Sequence, residues 1–185
     1  MCFQSKNEIT SKKEELWLLC FDDEPNIPKE LFSLVDIETL CDYQENELIA
    51  MATLVPVKTS TGLSGYYAYG ICTHPKHRGK GVFKRLMERC EDYAKDKNAA
   101  FLCLIAADSS LADTYRRMGY SFSVSLAGED TPSKAIKIRS LSEAFSKFAK
   151  PDEIAECEGL YGLLKPLFSA DENLKFAFSE YMGEI

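Results

Sequence analysis

The period of the hydrophobic pattern changes along this chain. "EELWLLCF" (14–21) is a run of bulky apolar residues and predicts a first strand. "DDEPN" breaks it, and in "IPKELFSLVD" (27–36) Leu31, Leu34 and Val35 share one face of a short helix. "TLCDYQENELIAMATLVPVK" (39–58) reads as a hairpin turning near Glu45-Asn46. After the loop "TSTGLSG" (59–65), "YYAYGICT" (66–73) has the aromatic and β-branched content of a strand. Gly79 to Lys97 is the clearest helix: Val82, Phe83, Leu86, Met87, Cys90, Tyr93 and Ala94 recur at spacings of three and four.

"AAFLCLIAA" (99–107) is continuously apolar and predicts a buried central strand. "DSSLADTYRRMGY" (108–120) opens on the N-capping residues Asp and Ser and closes on Gly119, with Leu111, Thr114, Tyr115 and Met118 on one helical face. A strand (120–127), a "GEDTPS" loop (128–133) and another strand (134–141) follow. Beyond them the pattern weakens into three helical stretches, 142–149, 152–168 (interrupted by Gly and Pro) and 172–182. The order predicts an α/β fold, a mixed α+β sheet with helices between strands. We expect one domain over 1–141 and a helical, acidic extension over 142–185 packed on it. No internal repeat or low-complexity segment is present.

Composition narrows the class. The chain has 185 residues, of which 45% are hydrophobic and 28% charged, as expected of a soluble globular domain. No apolar run approaches the ~18 residues that span a bilayer, and the N-terminus lacks the order of a signal peptide. No membrane partner is expected. Cysteines 2, 20, 41, 72, 90, 103 and 157 are scattered singly with no CxxC pair. That argues for reduced thiols in a cytoplasm and against a metal. A catalytic cysteine would have only His74 and His77 as partners. The net charge of −7 is uneven: residues 151–185 carry eight carboxylates against two lysines. Nucleic acid is disfavoured as a partner.

Against that acidity, "THPKHRGKGVFKRLM" (73–87) gathers five Lys and Arg residues, two His and two Gly, and holds no acid. A helix start offers free N–H groups and a partial positive charge, both suited to an anion. Gly79 and Gly81 let backbone approach a ligand closely, and Arg78, Lys80, Lys84 and Arg85 add charge. Neither GxxxxGK[ST] nor GxGxxG is present. Lys and Arg at a helix end are also commonly just solvated.

With a strand before it and a helix after it, "ICTHPKHRGKGVFKRLM" resembles the acyl-CoA-binding motif of the GCN5-related N-acetyltransferase (GNAT) family, R/Q-x-x-G-x-G/A, here Arg78-Gly79-Lys80-Gly81-Val82-Phe83. Downstream, "ADSSLADTYRRMGY" resembles the family's N-x-x-A-x-x-x-Y-x-x-x-G-F segment, with Tyr115 and Gly119 in register, Tyr120 for Phe, and Asp108 at the position of the Asn. The resemblance covers roughly residues 14–141. It implies backbone amides of Arg78 to Phe83 on the pyrophosphate of acetyl-CoA. It further implies Ile71, Cys72 and Thr73 beside the pantetheine arm, a backbone N–H near Cys72 on the thioester carbonyl, and Tyr115 as the general acid. Two positions depart from the pattern. Phe83 stands where a small residue is usual, and its place on the apolar face gives it a packing role. Asp108 cannot donate an amide hydrogen bond and is better placed to cap its helix.

The implied activity is transfer of an acetyl group from acetyl-CoA, with no metal, to a primary amine of a small molecule or peptide. Tyr115 could instead be only core. The general base is open: "YYAYGICT" contains no carboxylate, which leaves Tyr67, Tyr69, Glu45, Glu47, His74 or bulk water. Residues 27–38, the 128–133 loop and the acidic tail, with Asp171 and Glu172, are expected to shape the acceptor pocket and favour a cationic amine. Tyr161, Phe168, Phe176, Phe178 and Tyr181 are expected to dock the tail on the sheet. The tail could serve as a lid, as packing or as a homodimer contact. Two other readings compete: a GNAT-fold module that binds acyl-CoA without turnover, and an α/β interaction protein that binds no CoA.

Overall fold

The computed structural model describes residues 6–126, 136–148 and 161–167. The expected 128–133 loop, the helix at 172–182 and the tail residues Phe168, Asp171, Glu172, Phe176, Phe178 and Tyr181 lie outside the described residues. The elements run α1 (Lys6–Cys20), α2 (Asn26–Ser33), β1 (Glu38–Gln44), β2 (Glu47–Thr59), β3 (Ser64–Thr73), a 3₁₀ turn (Pro75–His77), α3 (Val82–Asp96), β4 (Phe101–Ala106), α4 (Ser109–Arg117), β5 (Phe122–Leu126), β6 (Ile136–Ser140), α5 (Glu143–Phe148) and β7 (Tyr161–Pro166).

Among the described residues seven strands form one mixed sheet in the order β1-β2-β3-β4-β7-β5-β6. The hairpin turns where the sequence places it, with Gln44 opposite Glu47 across Glu45-Asn46. β2 is long enough to pair twice along one edge, with β1 through residues 47–54 and with β6 through Val57–Thr59. The sheet therefore curls until its last strand meets its second. One apolar cluster joins the sheet to α3 and α4, through Leu86, Met87, Cys90, Ala112 and Tyr115. The other fills the opposite face beneath α1, α2 and α5, through Leu16, Trp17, Leu31 and Phe145.

Two segments differ from the sequence expectation. Residues 14–21 are not a strand: through Cys20 they complete α1. Leu16 and Trp17 are buried while Leu18 and Leu19 face outward, a helical division of an unbroken apolar run. The preceding turns supply helical pairs four residues apart, Glu8–Lys12 and Ser11–Glu15. Residues 161–166, within the expected 152–168 helix, instead form β7, antiparallel to both β4 and β5. Consecutive Leu163 and Leu164 are buried in the two different clusters, one on each face of the sheet, as the two-residue period of a strand requires.

β7 is tied to α3 by charge. Lys165 Nζ donates to both carboxylate oxygens of buried Glu91 at 2.8 Å, and the Tyr120 hydroxyl donates to Glu91 Oε1 at 3.3 Å. Such a pair adds directionality to a packed interface, although its net contribution to stability is small once desolvation is counted.

Candidate active site

The sheet opens where β3 outruns its neighbour. β3 and β4 pair in parallel only from Gly65 opposite Phe101 to Ala68 opposite Leu104. β3 continues to Thr73, held on its other side by β2, while β4 continues to Ala106 against β7. Among the described residues no strand pairs with the β4-facing edge of residues 69–73. A crevice beyond the carboxyl ends of parallel strands is the usual ligand position in α/β sheets. The divergence coincides with a bulge, where the β2–β3 register shifts between Met51 and Thr53. Gly70 occupies it at φ +59°, and a Cβ there would lie 2.2 Å from the Trp17 ring. Only glycine serves at that point.

The basic turn follows. The His74 amide donates to Ile49 O and the Arg78 amide to Pro75 O, closing the 3₁₀ turn. Arg78 Nε donates back to Thr73 O at 3.1 Å. Gly79 and Gly81 both lie in the left-handed region, at φ +71° and +74°. α3 begins at Val82 rather than Gly79, because Gly81 in that conformation is its N-cap and no side chain caps the helix. A Cβ built on Gly79 would meet nothing within 4 Å. The turn thus presents open backbone, an uncapped helix start and the exposed cations Arg78, Lys80, Lys84 and Arg85. Of these, Lys84 reaches Glu88 at 3.9 Å and Arg85 leans 3.5 Å from Lys80 O.

The two sequence motifs meet in space. Phe83, in the first turn of α3, packs edge-on against Tyr115 of α4 with ring centroids 5.5 Å apart. Phe83 therefore makes the packing contact expected of its place on the apolar face. Tyr115 is 5% exposed, and burial holds its phenol well above its ordinary range, with the neighbouring Cys90 thiol adding to the shift. Asp108 caps α4, its Oδ1 accepting from the Leu111 amide at 2.8 Å.

Ile71 and Thr73 are half-buried on the open edge of β3, and Cys72 is buried on the α1 face. Here the structure adds a residue that sequence reasoning missed. Cys20, the last residue of α1, places its thiol 3.6 Å from Thr73 O, the carbonyl that Arg78 also grips. A hydrogen bond from Cys72 lowers the Cys20 thiol to about 7, partly opposed by burial and assisted by Arg78. The same contact, together with burial, raises Cys72. Nothing in the spacing of residues 20, 72 and 78 signals this cluster.

The candidate bases are dispersed. Tyr67 and Tyr69 sit in an aromatic group with Trp17 and Phe145. Glu45 and Glu47 occupy the β1–β2 turn, where Glu47 faces His74 and His77 at 3.6 and 3.4 Å. β3 carries no carboxylate.

The family model described as "Acetyltransferase (GNAT) domain" matches residues 6–123. The chain belongs to the GNAT acetyltransferase family. Comparison of the sequence with curated proteins finds no match. Among solved structures, the GNAT fold recurs in the ribosomal-protein-S18-alanine N-acetyltransferase of Escherichia coli, with TM-score 0.57, 13% identity, and coverage of 93% of this chain and 96% of that one. It recurs in an aminoglycoside antibiotic 6'-N-acetyltransferase from Acinetobacter haemolyticus, with TM-score 0.54, 19% identity, and coverage of 70% and 95%. A GNAT family acetyltransferase from Brucella melitensis, solved with acetyl-CoA, aligns with TM-score 0.55, 14% identity, and coverage of 77% and 96%.

The GNAT family uses acetyl-CoA, and the residues present fit its diphosphate. The α3 start of this GNAT domain has no internal cap, its glycines leave space where side chains would stand, and the surrounding charge is positive. An anion there meets N–H donors and the helix dipole together. No helix among the described residues is long and apolar enough to cross a membrane.

Proposed function

We propose that this GNAT domain transfers an acetyl group from acetyl-CoA to a primary amine of a small molecule or peptide. The carrying observation is the contact between its two motifs. Phe83, in the first turn of the uncapped helix, touches Tyr115 on the helix that follows the open crevice. When bound, acetyl-CoA supplies an activated thioester carbonyl and a thiol leaving group. The backbone N–H groups of Gly79 to Phe83 bind the diphosphate, with Arg78 and Lys80 adding charge. The unpaired edge at Ile71, Cys72 and Thr73 orients the pantetheine, and a backbone N–H near Cys72 polarises the carbonyl. Preorganised donors of that kind contribute about 3–4 kcal/mol in other acyl-transfer sites.

Tyr115 keeps its proton at the phenolic oxygen throughout the neutral range, because burial raises it. It is therefore always in the state that can donate. Asp108 acts on α4, as its cap, and so on the placement of Tyr115. Deprotonation of the amine falls to solvent, since β3 has no carboxylate to receive the proton. The amine class is supported by the relatives, whose names specify an aminoglycoside and a ribosomal-protein alanine. Five free cysteines among the described residues accord with a reducing, cytoplasmic setting.

The missing strand carboxylate also favours a second reading, an acyl-CoA-binding module without turnover. A panel of primary amines, assayed for CoA release with acetyl-CoA, separates the two. Release with at least one amine, sharply reduced in Tyr115→Phe, supports the enzyme. Acetyl-CoA binding with no release from any amine supports the binding module.

A further inference from the structure

The chain has two histidines, and both face one carboxylate. His74 Nε2 lies 3.6 Å from Glu47 Oε1, and His77 Nε2 lies 3.4 Å from Glu47 Oε2. One donor atom from each of the three residues lies within 4.8 Å of the others. These separations are long for charge-assisted hydrogen bonds, which run about 2.7–2.9 Å. Each histidine faces a different oxygen of the carboxylate, and each separation is comparable with one ligand–ligand edge, roughly 3.3–3.4 Å, of a tetrahedral ion with bonds of about 2.0–2.1 Å.

The backbone supporting the three donors is well tied. Glu47 opens β2, His74 follows β3 and His77 closes the 3₁₀ turn. Ala50 pairs with Thr73, and the His74 amide bonds Ile49 O. The imidazole side chains are only 14% and 12% exposed, while Glu47 is 51% exposed. Two shallow clefts reach the cluster. One has an apolar wall of Leu16, Leu19 and Leu48 beside Lys12, Glu15, Asn46, Glu47 and His74, and the other is lined by Gln44, Glu45, Asn46, Glu47 and His77. They offer an entry path for an ion.

We propose that Glu47, His74 and His77 bind a divalent transition-metal ion of the zinc class. Imidazole nitrogens with one carboxylate suit zinc, cobalt, nickel or copper and are a poor set for magnesium or calcium. Without metal, His74 Nδ1 accepts the Lys76 amide at 3.2 Å, so its proton resides on Nε2. Metal binding at Nε2 moves that proton to Nδ1, and the Lys76 amide gives up its acceptor there. Any imidazolium present releases one proton on binding. The ion would join the β1–β2 turn to the turn that leads into Arg78 and Gly79.

The test uses the full chain, stripped with EDTA, kept reduced, and titrated with cobalt and then zinc. The expected result is saturable 1:1 cobalt binding with weak visible bands, no intense thiolate charge-transfer band, and displacement by zinc. His74→Ala, His77→Gln and Glu47→Gln should each weaken binding by roughly ten-fold or more. A thiolate band would assign the metal to cysteine and overturn the proposal. So would absence of saturable binding at millimolar cobalt, or affinity unchanged in His77→Gln and Glu47→Gln. Should those variants misfold, proton NMR of the wild-type chain decides. Two paramagnetically shifted imidazole sets support the site, and fewer than two overturn it. None of these readouts involves acetyl-CoA, so failure here leaves the acetyltransferase reading standing.

Discussion

α3 and α4 begin in opposite ways. α4 is closed from within: the Asp108 carboxylate accepts from the Leu111 amide at 2.8 Å. α3 has no side-chain cap, starts from a left-handed glycine and gathers cations instead of an acid. Both helices follow strands that flank the same crevice, and both pack on the same apolar cluster. A helix start that carries its own anion needs none from outside. One left open among positive charges is arranged for an anion that the chain does not supply. The difference lies in which start the molecule completes itself, and the proposed function divides the labour along it: α3 for the phosphates, α4 for a proton held by Tyr115.

The largest expected effect comes from separating those two tasks. Tyr115→Phe should lower kcat by roughly 10²–10⁴-fold, the usual range for a lost general acid, with acetyl-CoA affinity unchanged. Steady-state kinetics beside a binding titration reads this. Retained kcat would return Tyr115 to a core role and leave α4 no chemistry to perform.

Gly81→Ala attacks the open start. A Cβ in the left-handed region costs about 1–2 kcal/mol, and urea unfolding should show that loss together with weakened acetyl-CoA binding. Affinity equal to wild type would mean that the ligand does not depend on this backbone.

The closed start should behave differently. Asp108→Ala removes a cap worth about 1 kcal/mol, visible as a lower Tm, while acetyl-CoA affinity stays the same. An equal loss of affinity would make Asp108 a cofactor contact and erase the contrast between the two helices.

The smallest effect concerns the field around the open start. Cys20 is held near pH 7 by Cys72 and Arg78, so its reactive thiolate is lost as pH falls through that value. Alkylation followed by mass spectrometry should give a half-maximal rate near pH 7 for Cys20. The midpoint should rise in Arg78→Ala, since a nearby cation is removed. A midpoint unaffected by Arg78→Ala would show that the turn's charge does not reach the thiol.

Much of this arrangement is legible in the sequence because it depends on local chemistry. The α3 face from Val82 to Ala94, the Asp108 cap and the continuous apolar run of β4 each follow from residues close together in the chain. Residues 14–21 mislead because an unbroken apolar run has no visible period. Leu18 and Leu19 face outward only because α1 lies on the sheet through Leu16 and Trp17. Residues 161–166 mislead for a related reason: their Gly and Pro read as breaks in a helix, whereas the segment is inserted between β4 and β5, far away in sequence. The Cys20 cluster and the Glu47, His74 and His77 group arise from tertiary placement, which periodicity does not encode.

The most direct test of the central claim is the melting temperature of the chain with and without excess acetyl-CoA. At a hundred times its dissociation constant a ligand adds about 2.7 kcal/mol, a rise of several degrees for a domain of this size. The account predicts that rise in wild type and a smaller one in Arg78→Ala. An unchanged melting temperature at saturating acetyl-CoA would contradict it.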